Sequence, residues 1–141
     1  MPKTAITDEE ILSCFDVMAE LRPHLKREEF LRQVRDMEAD GYQLAYLKGD
    51  GAVVAVAGYR VSSNLFMGKH LYVDDLVTSS TVRSKGYGEV MMAWLRDQAV
   101  NAACHYLHLD SGTHRDQAHK FYFRQGLTIA SYHFSEKLNV L

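Results

Sequence analysis

A basic, glycine-bearing segment in the middle of the chain carries the residue types that bind phosphate groups. Arg83 and Lys85 precede Gly86 and Gly88, and an apolar run over residues 90–95 follows. A glycine turn at a helix N-terminus presents backbone N–H groups at the positive end of the helix dipole, and glycine lets a ligand approach the backbone closely. The guanidinium and ammonium groups add charged donors. The segment therefore predicts capture of a phosphate or pyrophosphate, unless the glycines serve only the shape of the turn.

Two other phosphate-binding motifs are excluded by the same residues. The chain has no G-x-x-x-x-G-K-[ST] loop, and Met91 occupies the place at which a dinucleotide-binding loop has its third glycine. The predicted anion site therefore belongs to neither of these classes.

A group of histidines in the last third of the chain raises the question of a metal site. His105 and His108 point to opposite faces of a predicted strand, and His114 and His119 do not share a face of a predicted helix. Metal ligands must converge on one point. We therefore expect no metal.

The composition is that of an ordinary globular protein. The chain has 141 residues, 47% of them hydrophobic and 24% charged, with a formal net charge of -2. This balance does not favour a nucleic-acid partner, and neither an apolar run long enough for a bilayer nor a signal peptide is present. Cys14 and Cys104 lie far apart without a C-x-x-C motif, which predicts free thiols. We expect one cytoplasmic domain over residues 1–141, without a nucleic-acid or membrane partner.

The apolar periodicity predicts the elements that must position the anion site. Helical spacing favours helices over residues 7–22, 27–39, 88–101 and 115–125. Alternation and apolar runs favour strands over residues 42–48, 52–61, 70–78, 104–110 and 127–134, with one more in the tail. This order predicts an α/β (α+β) fold, in which a mixed sheet carries helices on both faces.

Three segments, in this order, resemble the GNAT superfamily of acyl-CoA-dependent N-acyltransferases. They are Leu76-Val-Thr, Arg83-Ser-Lys-Gly-Tyr-Gly88, and Ala118-His-Lys-Phe-Tyr122 followed by Gly126-Leu127. The resemblance covers most of the chain and is strongest over residues 74–134, and the stretch AHKFYFRQG with SYHF is similar to small-amine and aminoalkylphosphonate acetyltransferases. It implies a mixed, mostly antiparallel twisted sheet of six to seven strands with about four helices on both faces. The chain departs from the family pattern at Arg115, where Asn is frequent, and at Ser80, where Pro is usual.

The resemblance also implies a site for acetyl-CoA. The backbone of Leu76, Val77 and Thr78 would pair with the pantetheine arm. The pyrophosphate would be held by Arg83, Ser84, Lys85, Gly86, Tyr87, Gly88 and Glu89. Arg115 would either touch the phosphates or face water. In this fold the amine site is built by the N-terminal helices and variable loops, here around residues 22–26 and 62–68.

The catalytic roles implied by the resemblance fall on two residues. Tyr122 would be the general acid that protonates the leaving thiolate, and Asp74 the general base, with Asp75 or a water chain as alternatives. An amine is protonated at neutral pH and must lose a proton before it attacks a thioester. The oxyanion would meet a strand N–H around Thr78.

The resemblance therefore predicts an N-acetyltransferase that moves an acetyl group from acetyl-CoA to a primary amine by direct attack in a ternary complex. The acceptor would be a small-molecule amine, and a peptide amine stays open, as does a non-catalytic acyl-CoA-binding or sensing module. Domains of this family often pair through their final strands. The apolar tail residues Leu138, Val140 and Leu141 permit such a homodimer.

Overall fold

The computed structural model describes residues 1–83 and 85–140. These residues form two compact units, Met1–Leu109 and the chain from Asp110 onward. That residues 1–141 make a single domain stays a prediction. Within the described residues, no helix combines the length and apolar character that a bilayer crossing requires.

The first unit contains a five-stranded sheet, in the order β1-β2-β3-β4-β5. The strands are β1 (Lys3–Thr4), β2 (Gln43–Gly49), β3 (Ala52–Asn64), β4 (Gly68–Thr78) and β5 (Tyr106–Leu109). The pairs from β1 to β4 are antiparallel, and β4 pairs with β5 in parallel. The prediction of a mixed, mostly antiparallel sheet is confirmed.

Helices cover both faces of this sheet. The first unit has α1 (Asp8–Ser13), α2 (Phe15–Leu21), α3 (Arg27–Glu38), a 3-10 turn (Ser80–Val82) and α4 (Tyr87–Asn101), and the second unit has α5 (Asp116–Arg124). On one face, side chains of α1 to α3 form a core with Leu44, Tyr46 and Val56. On the other, Trp94 of α4 packs edge to face on Tyr59, with ring centroids 5.9 Å apart. β3 is buried on both faces, as its apolar run predicts.

The first predicted helix is in fact two helices separated at Cys14. Its start is as predicted, since Thr7 and Glu10 form a reciprocal capping box. The break follows from competition for one carbonyl. The Ser13 hydroxyl donates to the Glu10 carbonyl at 2.6 Å, and the Cys14 backbone N–H donates instead to the Ile11 carbonyl at 3.0 Å.

The predicted strand over residues 127–134 is wrong, and so is the further strand in the tail within the described residues. The sheet accordingly has five strands among the described residues rather than six to seven. Residues 128–140 are exposed and make none of the described ladder pairs. Alternation of apolar side chains favours a strand, but a strand is stable only when its backbone groups find a partner. The two-residue β1, by contrast, was too short for any periodicity to predict.

Candidate active site

A bulge on β4 sets the positions of its two acidic residues. In the pairing with β3, Asp75 lies opposite Gly58 and Val73 lies opposite Tyr59, so that Asp74 is the extra residue. A bulge bends the strand and re-aims side chains, which is why bulges recur beside active sites. Both aspartates are consequently drawn into one network with nearby arginines.

Asp75 has a partner on each carboxylate oxygen. The Arg22 Nε donates to Oδ1 at 3.0 Å, and the Tyr42 hydroxyl donates to Oδ2 at 2.8 Å. Burial, reinforced by the negative charge of Asp75, raises the pKa of Tyr42 well above its ordinary value. Tyr42 therefore remains a hydrogen-bond donor, and this network holds the Asp75 carboxylate in place.

Asp74 is less completely paired. Its Oδ2 accepts from Arg60 Nε at 3.1 Å, whereas its Oδ1 is buried and has no hydrogen-bond partner among the described residues. Burial raises the pKa of Asp74, although the charge of Arg60 opposes the shift. A carboxylate with such an oxygen and a raised pKa can accept a proton more readily than an ordinary aspartate.

The far end of β4 has one edge without a strand partner. β5 pairs with β4 only from His70 to Val73, while β4 continues to Thr78. Within the described strand pairings, the last residues of β4 are bonded on the β3 side alone. Backbone groups of Leu76, Val77 and Thr78 thus lie where an extended ligand can be added as a strand.

The glycine turn predicted to bind phosphate does open a helix. Gly86 is the N-cap of α4 with φ 81°, and as a glycine it has no side chain to cap the first turn. A Cβ at Gly86 would meet no atom within 4 Å among the described residues, so the turn is open at this position. Lys85 is exposed, and so is the Arg83 side chain. Gly88 and Glu89 lie in the first turn of α4, whereas Ser84 lies outside the described residues.

Two contacts anchor this turn to distant parts of the first unit. The Glu20 carboxylate accepts from the Ser80 backbone N–H at 2.9 Å and lies 3.8 Å from Arg83 Nη2. The Tyr87 hydroxyl packs so closely on the β2–β3 turn that a Cβ at Gly49 would lie 2.9 Å from it. Sequence reasoning missed Glu20, because no local pattern links a helix residue to a turn so distant in the chain.

A cavity of about 520 Å³ lies between the N-terminal helices and the network of Asp75. Its apolar lining consists of Met18, Leu25, Phe30, Val34 and Met37. Its polar lining consists of Arg22, His24, Gln33, Asp36, Tyr42 and Asp75. The lining includes part of the expected 22–26 segment and none of residues 62–68.

In the second unit, Tyr122 lies on α5, which Gly126 ends in the left-handed conformation with φ 89°. The Tyr122 ring packs edge to face on Phe121, with centroids 5.5 Å apart. Burial raises the pKa of Tyr122, and the charge of Arg115 at the N-cap opposes this shift. Tyr122 therefore keeps its proton at neutral pH, as a general acid must.

The histidines have other partners. His108 Nε2 and His70 Nδ1 share a hydrogen bond of 2.9 Å, and His119 Nε2 donates to the Gly112 carbonyl at 2.8 Å. The part of the chain that the structure describes contains no group of three or more His, Cys, Asp or Glu side chains able to hold a metal ion.

Comparison with known proteins identifies the family. The model of the acetyltransferase (GNAT) family matches residues 7–127. The chain belongs to the GNAT family. It is 34% identical over 134 residues to the uncharacterized N-acetyltransferase YhdJ of Bacillus subtilis (strain 168), with 94% of each chain covered. The protein is therefore an acetyltransferase.

Solved structures show the same fold. A GNAT family acetyltransferase of Staphylococcus aureus superposes with a TM-score of 0.82 at 16% identity, over 98% of both chains. AAC(6')-Iy, solved with the bisubstrate analogue CoA-S-monomethyl-acetylneamine, superposes with a TM-score of 0.86 at 11% identity, over 99% of this chain and 98% of that one. At these low sequence identities the similarity shows a shared fold alone.

The predicted site residues of this acetyltransferase lie in two groups, one in each compact unit. Asp74 and residues 76–78 lie on β4, and Arg83 with residues 85–89 follows in the turn and the first turn of α4. Arg115 and Tyr122 lie on the second unit. Sequence reasoning missed Tyr42, Arg60 and Gln33, whereas Arg22 begins the segment 22–26 that it expected at the amine site. Only Gln33 had a local signal, because it shares a face of α3 with Phe30, Val34 and Met37.

Proposed function

We propose that this acetyltransferase moves an acetyl group from acetyl-CoA to a primary amine by direct attack in a ternary complex. The observation that carries the proposal is that the end of β4, which within the described strand pairings is bonded on the β3 side alone, is followed by a helix whose N-cap is a glycine. A strand edge that can pair with an extended ligand suits the pantetheine arm of CoA, and the helix N-terminus that follows suits its pyrophosphate.

The residues present fit the cofactor. The backbone of Leu76, Val77 and Thr78 would hold the pantetheine arm, and the N–H groups from Gly86 to Glu89 would hold the pyrophosphate. Arg83 and Lys85 would add charge-assisted hydrogen bonds. Acetyl-CoA supplies an activated thioester. The protein's own task is to orient it and to move protons.

Three proton transfers are assigned to the chain. Asp74 would take a proton from the acceptor ammonium, and its free, buried Oδ1 supports this role. Tyr122 would donate its hydroxyl proton to the leaving sulfur while the C–N bond forms and the C–S bond breaks. The nitrogen would then lose its second proton, directly or through water, to the Tyr122 phenolate and restore the hydroxyl. A backbone N–H near Thr78 would stabilise the negative charge on the acyl oxygen. Arg115 either adds to the phosphate contacts or faces water.

A thermal shift with CoA tests cofactor capture. A ligand that binds only the native state raises the Tm by mass action. We expect wild type to shift and Gly86→Glu to lose the shift, because a carboxylate in the turn repels the pyrophosphate. Gly41→Glu is the matched control, since Gly41 also has positive φ and no atom within 4 Å of a Cβ. Loss of the shift in both variants, or no shift in wild type, would refute the assignment of this turn.

Turnover separates an enzyme from a binding module. Release of free thiol from acetyl-CoA with a panel of amines should fall about 100-fold or more in Asp74→Asn and in Tyr122→Phe, as for lost general acid–base catalysis. A non-catalytic acyl-CoA-binding module would show the thermal shift and no release with any small or peptide amine. Unchanged rates in both variants would remove these residues from the mechanism.

We further propose that the chain pairs into a homodimer through its last residues. Ile129, Tyr132, Phe134 and Val140 are between 71% and 90% exposed, and residues 128–140 make none of the described ladder pairs. Large apolar side chains at an unpaired segment favour addition of a second chain. Light scattering should give twice the chain mass, and Phe134→Glu with Tyr132→Glu should give the monomer.

A further inference from the structure

The α3 helix lines the cavity with apolar side chains and with two polar residues, Gln33 and Asp36. Phe30, Gln33, Val34 and Met37 recur at the spacing that places side chains on one helix face, and all of them line the cavity. The Gln33 Oε1 is buried and has no hydrogen-bond partner among the described residues. A buried amide oxygen without a partner is costly, so a ligand that donates a hydrogen bond would satisfy it.

The sheet side of the same cavity provides a carboxylate with spare capacity. Each oxygen of Asp75 accepts one hydrogen bond, from Arg22 and from Tyr42, while a carboxylate has about four acceptor positions. An ammonium group has three donors and needs several acceptors. Gln33 and Asp75 together offer them.

Besides the titratable His24, the charged side chains that line the cavity are Arg22 and the carboxylates of Asp36 and Asp75. Arg22 donates through Nε to Asp75 and through Nη2 to the Asp74 carbonyl at 2.9 Å. At the rim, the remaining carboxylate, Asp36, pairs with exposed Arg32 at 3.3 Å. A ligand carboxylate would therefore meet two carboxylates and a single arginine, whereas an amino group would meet acceptors that are in place.

We propose that the acceptor of this acetyltransferase is a primary amine on an apolar arylalkyl or alkyl body without an anionic group, with the body along the α3 wall and the nitrogen at Gln33 and Asp75. The proposal rests on the proposed function, because it names the acceptor class for that site. The nitrogen would then lie beside the bulge that carries Asp74, the residue assigned as the base.

Binding is measured first, without any cofactor, by calorimetry with phenethylamine, ethanolamine and phenylalanine. Burial of apolar area is worth about 0.8 kcal/mol per methylene, so we expect phenethylamine to bind at least about tenfold more tightly than ethanolamine. Phenylalanine, which adds a carboxylate to the same body, should also bind at least tenfold more weakly. Equal binding of phenethylamine and ethanolamine would overturn the proposal.

The variant Gln33→Leu locates the ligand in this cavity. It replaces an amide whose buried oxygen has no partner among the described residues, so the Tm should not fall. Phenethylamine binding should weaken about three- to tenfold, as expected for one lost hydrogen bond. Gln98→Leu is the matched control, since Gln98 is a similarly half-buried glutamine on α4 that does not line the cavity. Equal effects of the two variants would overturn the proposal.

Thiol release with the same amines separates this inference from the proposed function. Preferred turnover of phenethylamine supports both. Turnover of ethanolamine or phenylalanine in preference leaves the acetyltransferase mechanism standing and refutes the acceptor class. Tight phenethylamine binding without turnover of any amine confirms the ligand preference of the cavity and refutes the proposed reaction.

Discussion

The Tyr42 ring lies directly over Gly58, the residue that faces Asp75 across the β3–β4 ladder. A Cβ at Gly58 would overlap Oη and Cζ of Tyr42 and lie 2.6 Å from its Cε1. Tyr42 is 3% exposed, and the open space beside it is the cavity that it lines. Gly58→Ala therefore displaces the ring, and with it the hydroxyl that donates to Asp75.

The cost follows from these contacts. Overpacking a core typically costs about 1–3 kcal/mol, and loss of a hydrogen bond to a charged group about 1.5–3 kcal/mol. Alanine gives the unfolded chain a lower backbone entropy than glycine does, which offsets about 0.5–1 kcal/mol of this cost. We expect Gly58→Ala to lower the free energy of unfolding by about 2–4 kcal/mol, which is a large part of the stability of a typical domain.

Urea unfolding followed by the fluorescence of the single tryptophan, Trp94, measures this change. A double-mutant cycle with Tyr42→Leu isolates its cause, because leucine lacks the overlapping ring atoms. In the Tyr42→Leu background, Gly58→Ala should cost less than about 1 kcal/mol, which leaves a coupling of about 1 kcal/mol or more.

Gly49→Ala is a matched control on the neighbouring strand. Its Cβ would meet the far end of the Tyr87 side chain, which is only partly buried and can shift. Its cost should therefore stay below about 1 kcal/mol. The reasoning is refuted if Gly58→Ala costs the same in both backgrounds, or no more than Gly49→Ala.

Three further predictions concern charged groups. Hydrogen bonds from the Thr7 and Ile6 backbone N–H groups lower the pKa of Glu10 from 4.5 to about 2, so the stabilisation from the Glu10 carboxylate is present above about pH 4.5 and is lost as the pH falls towards 2. The free energy of unfolding of Glu10→Gln should therefore be lower than that of wild type at neutral pH, and the difference should close between about pH 4.5 and about pH 2. Burial raises the pKa of Asp74, so the stabilisation from its protonated form is lost as the pH rises through the folded pKa. Asp74→Asn should therefore be no less stable than wild type at pH 7, and any gain in its free energy of unfolding over wild type should vanish near pH 4; a loss of stability independent of pH would contradict this. Glu20→Gln keeps an acceptor for the Ser80 N–H but removes the ion pair with Arg83. Because exposed ion pairs are worth about 0.2–1 kcal/mol, calorimetry should show CoA binding up to about fivefold tighter at low salt and little change at high salt.

Local chemistry made part of this structure predictable. The Thr7–Glu10 capping box, the left-handed glycine at Gly86 and the ending of α5 at Gly126 depend on residues that are neighbours in the chain. The order of segments from Leu76 to Tyr122 was enough to indicate the family. Each of these features needs only a short stretch of residues, whose types determine the local backbone.

The failed strand prediction shows where this reasoning stops. Residues 127–134 alternate as a strand should, but alternation cannot supply a hydrogen-bonding partner. The break of the first helix at Cys14 is a smaller case of the same kind. There, apolar spacing continues through the break, while a side-chain hydroxyl takes the carbonyl that the helix needs.

The sequence by itself determined most of the helices and strands, the glycine turn that opens α4 and the family, because these rest on periodicity and on contacts between near neighbours. Only the tertiary structure decided which hydrogen-bond partners Asp74 and Asp75 have. The bulge opposite Gly58 gives Asp75 two partners and leaves an oxygen of Asp74 free. It also decided that Gln33 faces a cavity rather than solvent and that Glu20 holds the turn at Ser80. Each of these outcomes depends on residues far apart in the chain, whose approach is set by the packing of helices on the sheet and by no local pattern.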